Sequence, residues 1–406
     1  MEKDNLRNCL RKDFLQGKIP FAIDKEDYKR FSQQYTVFSR VAFDKNFRMF
    51  HRGINEKAFQ RVGTKGYSRI GYAAQTASWT IYDHFHGAFD WSSVDKSSIP
   101  SPTQLVSGLP KMEGTDRKIN TKAIKRVAQI FGACGVGITE IDPEFIFIYS
   151  HDSQGTPIQL PEGVNRAIVM LIEMDYEAIG SSPTLPASIT TGNGYSRMAF
   201  LIACMAQLLR DLGYKAIPSG NDTALSVPLA VQAGLGQFGR NGLLITPKFG
   251  QRVRICKVFT DFPLDLDSPI NMGVTNFCRV CKKCAKSCPS QSIPYDRDPT
   301  WESPWKIPSN NSGGSYKWYV NAESCYEYWV KNTSDCSNCM RVCPFTKPSG
   351  FVHDLARFII KNFQFLDPVM VLMDDLMSKF PMWRYGKKKN PENFWNSKMY
   401  LGKKMS

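Results

Sequence analysis

Eight of the 12 cysteines in this 406-residue chain lie between Cys278 and Cys343, and they repeat one spacing. The first set reads Cys278-x2-Cys281-x2-Cys284-x3-Cys288-Pro289, and the second reads Cys325-x10-Cys336-x2-Cys339-x3-Cys343-Pro344. The first set matches the bacterial ferredoxin run, in which three cysteines hold one [4Fe–4S] cube and the fourth ligates the other cube. Short x2 gaps wrap the main chain around a cube with N–H groups facing the sulfurs, and the proline starts the chain in a new direction. Two four-cysteine zinc sites would use the same residues, but zinc ligands come as separated C-x2–4-C pairs and not as a triple. Crossing over, Cys278, Cys281, Cys284 and Cys343 are assigned to one cluster, and Cys325, Cys336, Cys339 and Cys288 to the other. The remaining Cys9, Cys134, Cys204 and Cys256 are scattered, so the cysteine distribution is that of metal binding and not of a disulfide framework.

Clusters alone only carry electrons, and more than half of the chain precedes Cys278. That length suggests two or three domains with a sizeable core. A composition of 42% hydrophobic and 22% charged residues is ordinary for a globular protein and excludes a disordered or collagenous chain. No apolar run approaches the ~20 residues of a membrane span. The net charge of +15 fits nucleic acid, an anionic membrane surface or an acidic redox partner. Near the N-terminus, Arg11-Lys12-Asp13-Phe14-Leu15 is followed by Gly17, Lys18, Pro20 and Asp24 and not by an apolar h-region. It is read as a charged helix start, so the chain is either cytoplasmic or the mature form of an exported protein.

The periodicity is poor over 1–118, which includes a Ser/Pro stretch at Ser97–Ser107. Ile124, Val127, Ala128 and Phe131 predict an amphipathic helix over Asn120–Cys134. Phe145–Tyr149, Ala167–Ile172, Tyr214–Ile217, Leu243–Thr246 and Val253–Phe259 read as strands. Ser196 could cap a helix to Leu212, stopped by Gly213. Phe351–Ile360 and Val369–Phe380 read as helices, followed by a basic tail at Lys387–Lys389. The expected fold class is α+β, in four parts: an N-terminal region 1–118, a core domain 119–274, a two-cluster module 275–349, and C-terminal helices and tail 350–406.

Gly234-Leu235-Gly236-Gln237-Phe238-Gly239 is a literal G-x-G-x-x-G, but a dinucleotide fingerprint needs a strand before it and a helix after it. The order here is reversed, so the glycines either let the backbone approach a bulky ligand or make turns. Taken together with the cysteine sets, Pro218-Ser219-Gly220-Asn221-Asp222-Thr223, Gly234–Gly239 with Arg240-Asn241-Gly242, and Lys257-Val258-Phe259-Thr260-Asp261 resemble the corrinoid-dependent reductive dehalogenases over about Asn120–Pro348. The resemblance implies a cobalamin held base-off in a nitroreductase-like core, a ferredoxin-like module over it, and an N-terminal region closing a buried pocket. The Asp-x-His-x-x-Gly pattern of His-on corrinoid proteins is absent; Asp83-His84-Phe85-His86-Gly87 has the wrong spacing. His84 and His86 are read as core or surface residues.

In the resembling family, Co(I) acts on the carbon–halogen bond and a tyrosine beside it gives a proton. That role carries over to Tyr195, with Asn221 and Arg254 in support. A free phenol (pKa ~10) is a weak acid at neutral pH, and a nearby guanidinium favours its phenolate. The plainer readings are a core tyrosine, an Asx turn before Asp222, and an arginine that binds the cofactor's carboxamides. Gly234, Gly236, Gly239, Asn241 and Gly242 are the candidate corrinoid contacts. Phe38, Phe43, Trp79, Tyr82, Trp301 and Trp305 are candidate walls of a dry pocket, or ordinary packing.

The implied reaction removes halogen from a small organohalide, a chlorinated alkane or ethene, because no further basic group is evident near Tyr195 to hold a phenolate. The implied cofactors are base-off cobalamin and two [4Fe–4S] clusters. The implied partners are a low-potential electron donor and a small membrane anchor protein, with a homodimer as the assembly and no nucleic acid. The implied location is the outer face of the cytoplasmic membrane. The alternatives are an epoxyqueuosine reductase acting on tRNA, whose helical-repeat tail has no room after Pro344, and a pure electron-transfer iron–sulfur protein.

Overall fold

A run such as Ala167–Ile172, apolar at every position, suits a strand covered on both faces. In the computed structural model it is the second strand of a four-stranded antiparallel sheet. The structure describes residues 2–54, 56–85, 111–307, 313–378, 386–396, 399–400 and 403–404. In chain order the elements that matter are α1 (Glu2–Leu15), α2 (Val37–Phe43), α3 (Arg69–Phe85), α4 (Arg117–Ile130), β1 (Gly135–Glu140), β2 (Arg166–Glu173), α5 (Tyr176–Gly180), α6 (Leu185–Asp211), β3 (Ala216–Ser219) and α7 (Ser226–Gln232). There follow β4 (Gln237–Phe238), β5 (Leu244–Ile245), β6 (Val253–Thr260), α8 (Val274–Cys281), α9 (Lys283–Lys286), α10 (Ala322–Asn332), α11 (Asn338–Arg341), α12 (Phe351–Asn362) and α13 (Asp367–Met377). The sheet order is β1-β2-β6-β3.

Strand alternation divides the core into two layers. Ile168, Met170, Ile172, Cys256 and Val258 join α6 residues Leu201, Ile202, Met205 and Leu209 on one face. Ala167, Val169, Leu171, Ile255 and Phe259 join α7 residues Leu229 and Ala230 on the other. Each such fully buried Leu, Ile or Met is worth ~1.5–3 kcal/mol of transfer free energy. Register therefore also fixes function: Arg254 shares parity with Cys256 and Val258 and faces α6, whereas Lys257 projects to the α7 side.

Several sequence expectations need correction. The helix predicted from Ser196 begins at Leu185, because Pro186 in its first turn is a starter and not a breaker. Gly213, at φ +85°, ends it as expected. Phe145–Phe147 is buried and Ile148 and Tyr149 are exposed, and the segment pairs only through isolated bridges, Ile146 with Ala224 and Tyr149 with Pro157, after a 3-10 turn at Pro143–Phe145. The edge strand β1 and the helix α3 were not foreseen. His86, Ser97–Ser107 and Phe380 lie outside the described residues.

The cysteine module wraps the sheet's α5 and β4–β5 side. Ile360 of α12 and Met370 and Val371 of α13 pack on Cys278, Cys281 and Cys343. The N-terminal region ties core to module: the Tyr67 hydroxyl lies 3.0 Å from the Pro183 carbonyl and 2.8 Å from Asn332 Oδ1. Among the described residues no helix is long and apolar enough to cross a membrane.

Candidate active site

Two glycines on α6 decide what gathers around Tyr195. A Cβ on Gly192 would lie 2.6 Å from Trp79 Nε1 of α3, and one on Gly194 would lie 2.9 Å from Arg254 Cγ of β6. Without those side chains α3 closes from one side and the Arg254 stem from the other. Tyr195 is the next residue. Its ring stacks on Trp79 at 4.7 Å between centroids and meets Tyr82 edge-on at 5.2 Å. The Arg254 guanidinium carbon is 5.0 Å from the Tyr195 ring centroid, and its Nη2 donates to Thr191 Oγ1 at 3.1 Å. Burial pushes the Tyr82 phenol above its ordinary range, so Tyr82 is a neutral wall.

Asn221 comes from the loop after β3. Its amide Nδ2 donates to the Tyr195 hydroxyl oxygen at 2.7 Å. With that oxygen accepting, the tyrosine's own proton is left for another acceptor. The loop is braced from beneath. Lys257 Nζ donates to the carbonyls of Gly220 at 2.5 Å and Asp222 at 3.0 Å and to Ser226 Oγ at 3.1 Å. Burial draws that amine down to about 8. Asp222, not Asn221, makes the turn, accepting from Gly220 N at 2.7 Å.

The eight cysteines ring two cavities. Cys278, Cys281, Cys284 and Cys343 line one of about 330 Å³. Cys288, Cys325, Cys336 and Cys339 line a second of about 760 Å³, which also reaches Arg254, Tyr328 and Trp329. Each ring thus takes one member from the end of the opposite sequence set, Cys343 in the first and Cys288 in the second. Burial, followed by the neighbouring cysteine charges, raises the thiols of Cys284 and Cys343 well above the ordinary value. Burial also pushes Cys281 and Cys336 up to about 12. Metal thiolates must shed those protons, so iron supplies the compensation such a packed set lacks. Among the described residues no three His, Cys, Asp or Glu side chains stand close enough to hold one metal ion.

The larger cavity also carries polar atoms with no protein partner: Trp329 Nε1, Asp335 Oδ1, Asn338 Oδ1 and Arg254 Nε. A cofactor with amide groups at its rim fits such donors and acceptors, since buried polar atoms are otherwise paired. Arg254 joins the two halves of the site, touching Tyr195 on one side and this cavity on the other.

Trp79 and Tyr82 therefore stand beside Tyr195, with Asn221 and Arg254. Other expected wall residues are elsewhere. Phe38 is 60% exposed and packs on Tyr326 and Trp329, and Phe43 ends α2. Trp301 packs on Tyr316 beneath Arg7, and Trp305 Nε1 donates to the Tyr319 carbonyl at 2.7 Å. The space a Cβ would need at Gly234 and Gly236 is filled by the carbonyls of Ser268 and Ile245. Gly239 and Gly242 close the β4–β5 turn, with Gly242 N donating to the Gly239 carbonyl at 3.0 Å. Asn241 lines both cysteine cavities and exchanges two hydrogen bonds with Gln251, of 3.0 and 2.7 Å. Thr191 and Lys257 were missed as site residues. Thr191 is one turn before Tyr195, on the same face, once the helix is known to start at Leu185. A separate apolar cavity of about 640 Å³, between the N-terminal segment and the core, includes neither Tyr195 nor any cysteine in its lining.

The 4Fe–4S dicluster domain family matches residues 277–347. A tetrachloroethene reductive dehalogenase of Desulfitobacterium hafniense is 34% identical over 362 residues, covering 77% of this chain and 63% of that protein. One from Sulfurospirillum multivorans is 32% identical over 394 residues, covering 88% of this chain and 76% of the relative. The chain thus spans 63% of the length of the Desulfitobacterium relative. A solved reductive dehalogenase structure described as suggesting a mechanism for B12-dependent dehalogenation superposes with a TM-score of 0.69 at 23% identity, over 91% of this chain and 48% of that one. The catabolic enzyme NpRdhA, solved with 3-bromo-4-hydroxybenzoic acid, gives 0.68 at 22% identity, over 91% and 48%. An epoxyqueuosine reductase of Listeria monocytogenes matches over 97 residues, 24% of this chain.

Proposed function

The chain belongs to the reductive dehalogenase family, whose cofactors are a corrinoid and [4Fe–4S] clusters, and we propose that it replaces chlorine by hydrogen in a small chlorinated ethene. The overall change takes two electrons and one proton and releases chloride. When bound, the corrinoid is the centre that reduces the carbon–halogen bond, and the clusters bring it electrons. The chain's residues supply the rest. Tyr195 holds the proton at its hydroxyl, and Asn221 fixes that oxygen. Arg254 lies over the ring and holds a positive charge beside it. Lys257 holds the Asn221 loop from below. Trp79 and Tyr82 give an aromatic wall that excludes water.

The observation that carries this reading is the 2.7 Å bond from Asn221 to the Tyr195 hydroxyl, with Trp79 stacked on one ring face and Arg254 nearby. An ethene is favoured over a halogenated phenol because the hydroxyl's direct partner is a neutral amide. In the same reading Cys278, Cys281, Cys284 and Cys343 hold one cluster, and Cys288, Cys325, Cys336 and Cys339 the other. Asn241 and the unpartnered atoms of Trp329, Asp335 and Asn338 face the cofactors. A low-potential electron donor, a small membrane anchor protein and placement on the outer face of the cytoplasmic membrane belong to the same proposal, as does a homodimer.

Metal analysis of anaerobically purified or reconstituted protein tests the cofactor set. About eight iron atoms are expected on a two-cubane reading, with one cobalt per chain. Co(II) is expected to show no nitrogen superhyperfine splitting in its EPR spectrum. Splitting by a protein imidazole would implicate His84, His86 or His151 and contradict the base-off, ligand-free reading. Four iron atoms, or zinc in their place, would contradict the cluster assignment.

A further inference from the structure

Arg240 is 1% exposed, and all of its hydrogen-bond acceptors are main-chain carbonyls. Nε and Nη2 donate to the Cys278 carbonyl at 3.1 and 2.7 Å. Nη1 donates to Pro294 O at 2.8 Å and Asp296 O at 2.6 Å, and Nη2 reaches Arg297 O at 3.4 Å. The guanidinium lies 4.5 Å from the Trp318 ring centroid and lines the cavity of Cys278, Cys281, Cys284 and Cys343. Among the described residues no carboxylate pairs with it.

A buried, unpaired guanidinium is costly and is kept where a counter-charge exists. Of the neighbouring cations, Lys283 and Arg279 already have theirs, and Lys282, which also lines the cavity, is only half-buried. Lys283 pairs with Asp374 and with Asp375 at 2.7 Å, and Arg279 pairs with Asp298 at 2.6 Å. In the second cavity Arg254 is engaged by Thr191 and Tyr195. Asp296 offers Arg240 its carbonyl while its side chain is exposed. The Asp296 carboxylate acts on Arg240 only from solvent, so the buried negative charge within reach is that of the thiolates and the cluster they hold.

We infer that Arg240 is the fixed counter-charge of the cluster held by Cys278, Cys281, Cys284 and Cys343, and that it raises that cluster's reduction potential. The inference rests on the two-cluster reading above. Reduction adds one electron and hence one negative charge, and a cation in a dry, low-dielectric shell stabilises the reduced state more than the oxidised one. The five hydrogen bonds keep the guanidinium in place without neutralising it. Because Arg240 lines the cavity of the first set only, the effect falls mainly on that cluster.

The test is an EPR-monitored redox titration of reconstituted protein with full iron content. The first cluster's signal is assigned as the one lost in Cys281→Ala, a ligand on either reading of the crossover. Arg240→Met is expected to lower the midpoint potential of that signal and to move the other less. Arg240→Lys keeps the charge but loses the planar fork, so its potential is expected to stay near that of the unsubstituted protein. If the Met variant does not hold the cluster, Arg240→Gln takes its place, keeping donors without charge. A lowered potential in Gln, or loss of the cluster there with retention in Lys, supports the counter-charge. Equal shifts or equal cluster loss in Lys and the uncharged variant would reduce Arg240 to a loop clamp and overturn the inference, as would an unmoved potential in Met. A single cluster signal in the unsubstituted protein would instead defeat the two-cluster reading.

Discussion

Tyr195→Phe is expected to lower dehalogenation by ~10²–10⁴-fold, or ~3–5 kcal/mol of barrier, the usual loss when a general acid is removed. The substitution deletes one hydroxyl and keeps the ring, so the stacking on Trp79 at 4.7 Å and the edge contact with Tyr82 remain. Iron and corrinoid contents are therefore expected to be unchanged. Asn221 loses its acceptor, but it is on a loop held by Lys257 and Asp222. Arg254→Lys retains a charge near the ring and loses the reach to Thr191, so a smaller fall is expected. Near-normal turnover by the Phe variant at full cofactor occupancy would remove Tyr195 as donor. Loss of corrinoid from that variant would make the residue structural.

Cys343→Ala is expected to destroy the cluster of Cys278, Cys281 and Cys284, whose cavity it lines, and to spare the cluster nearest to it in sequence. Cys288→Ala is expected to do the converse. Removing one of four thiolates leaves an incompletely held cube within a cavity built for four. In the proposed reaction electrons pass through both clusters to the site beside Arg254, so donor-driven turnover is expected to fall in each variant by at least as much as in Tyr195→Phe. EPR of the reduced variants distinguishes the outcomes. Loss of the Cys325, Cys336 and Cys339 cluster in Cys343→Ala would show that each sequence set holds its own cube.

What was legible in the sequence follows from the range of the physics involved. The cysteine sets were readable because cluster ligation imposes fixed local spacings. β2 was readable because a strand buried on both faces needs an unbroken apolar run, and β6 because Val253, Ile255, Val258 and Phe259 keep its β-branched and aromatic character around Arg254 and Lys257. The start of α6 was hidden, because Pro186, Gly192 and Gly194 look like breakers in one dimension. In three dimensions Pro186 starts the helix, and the two glycines admit Trp79 and Arg254 at close range. Phe145–Tyr149 was misread because a short apolar run does not by itself supply a pairing partner. Trp301 and Trp305 are aromatic residues in a long loop, and sequence gives no means of knowing that they turn toward Tyr316 and Tyr319 and not toward Tyr195. Arg254 could be linked to Tyr195 through family resemblance, whereas Lys257 and Thr191 act through contacts that only the assembled sheet and helix create.

The most direct measurement is chloride release from tetrachloroethene by the reconstituted protein under anaerobic conditions with a low-potential one-electron donor, run beside Tyr195→Phe at equal iron and cobalt content. Chloride is expected to appear with a matching amount of a less chlorinated ethene, at a rate at least a hundredfold higher than in the variant. No chloride from any chlorinated ethene or alkane, by protein carrying both clusters and corrinoid, would contradict the proposed reaction.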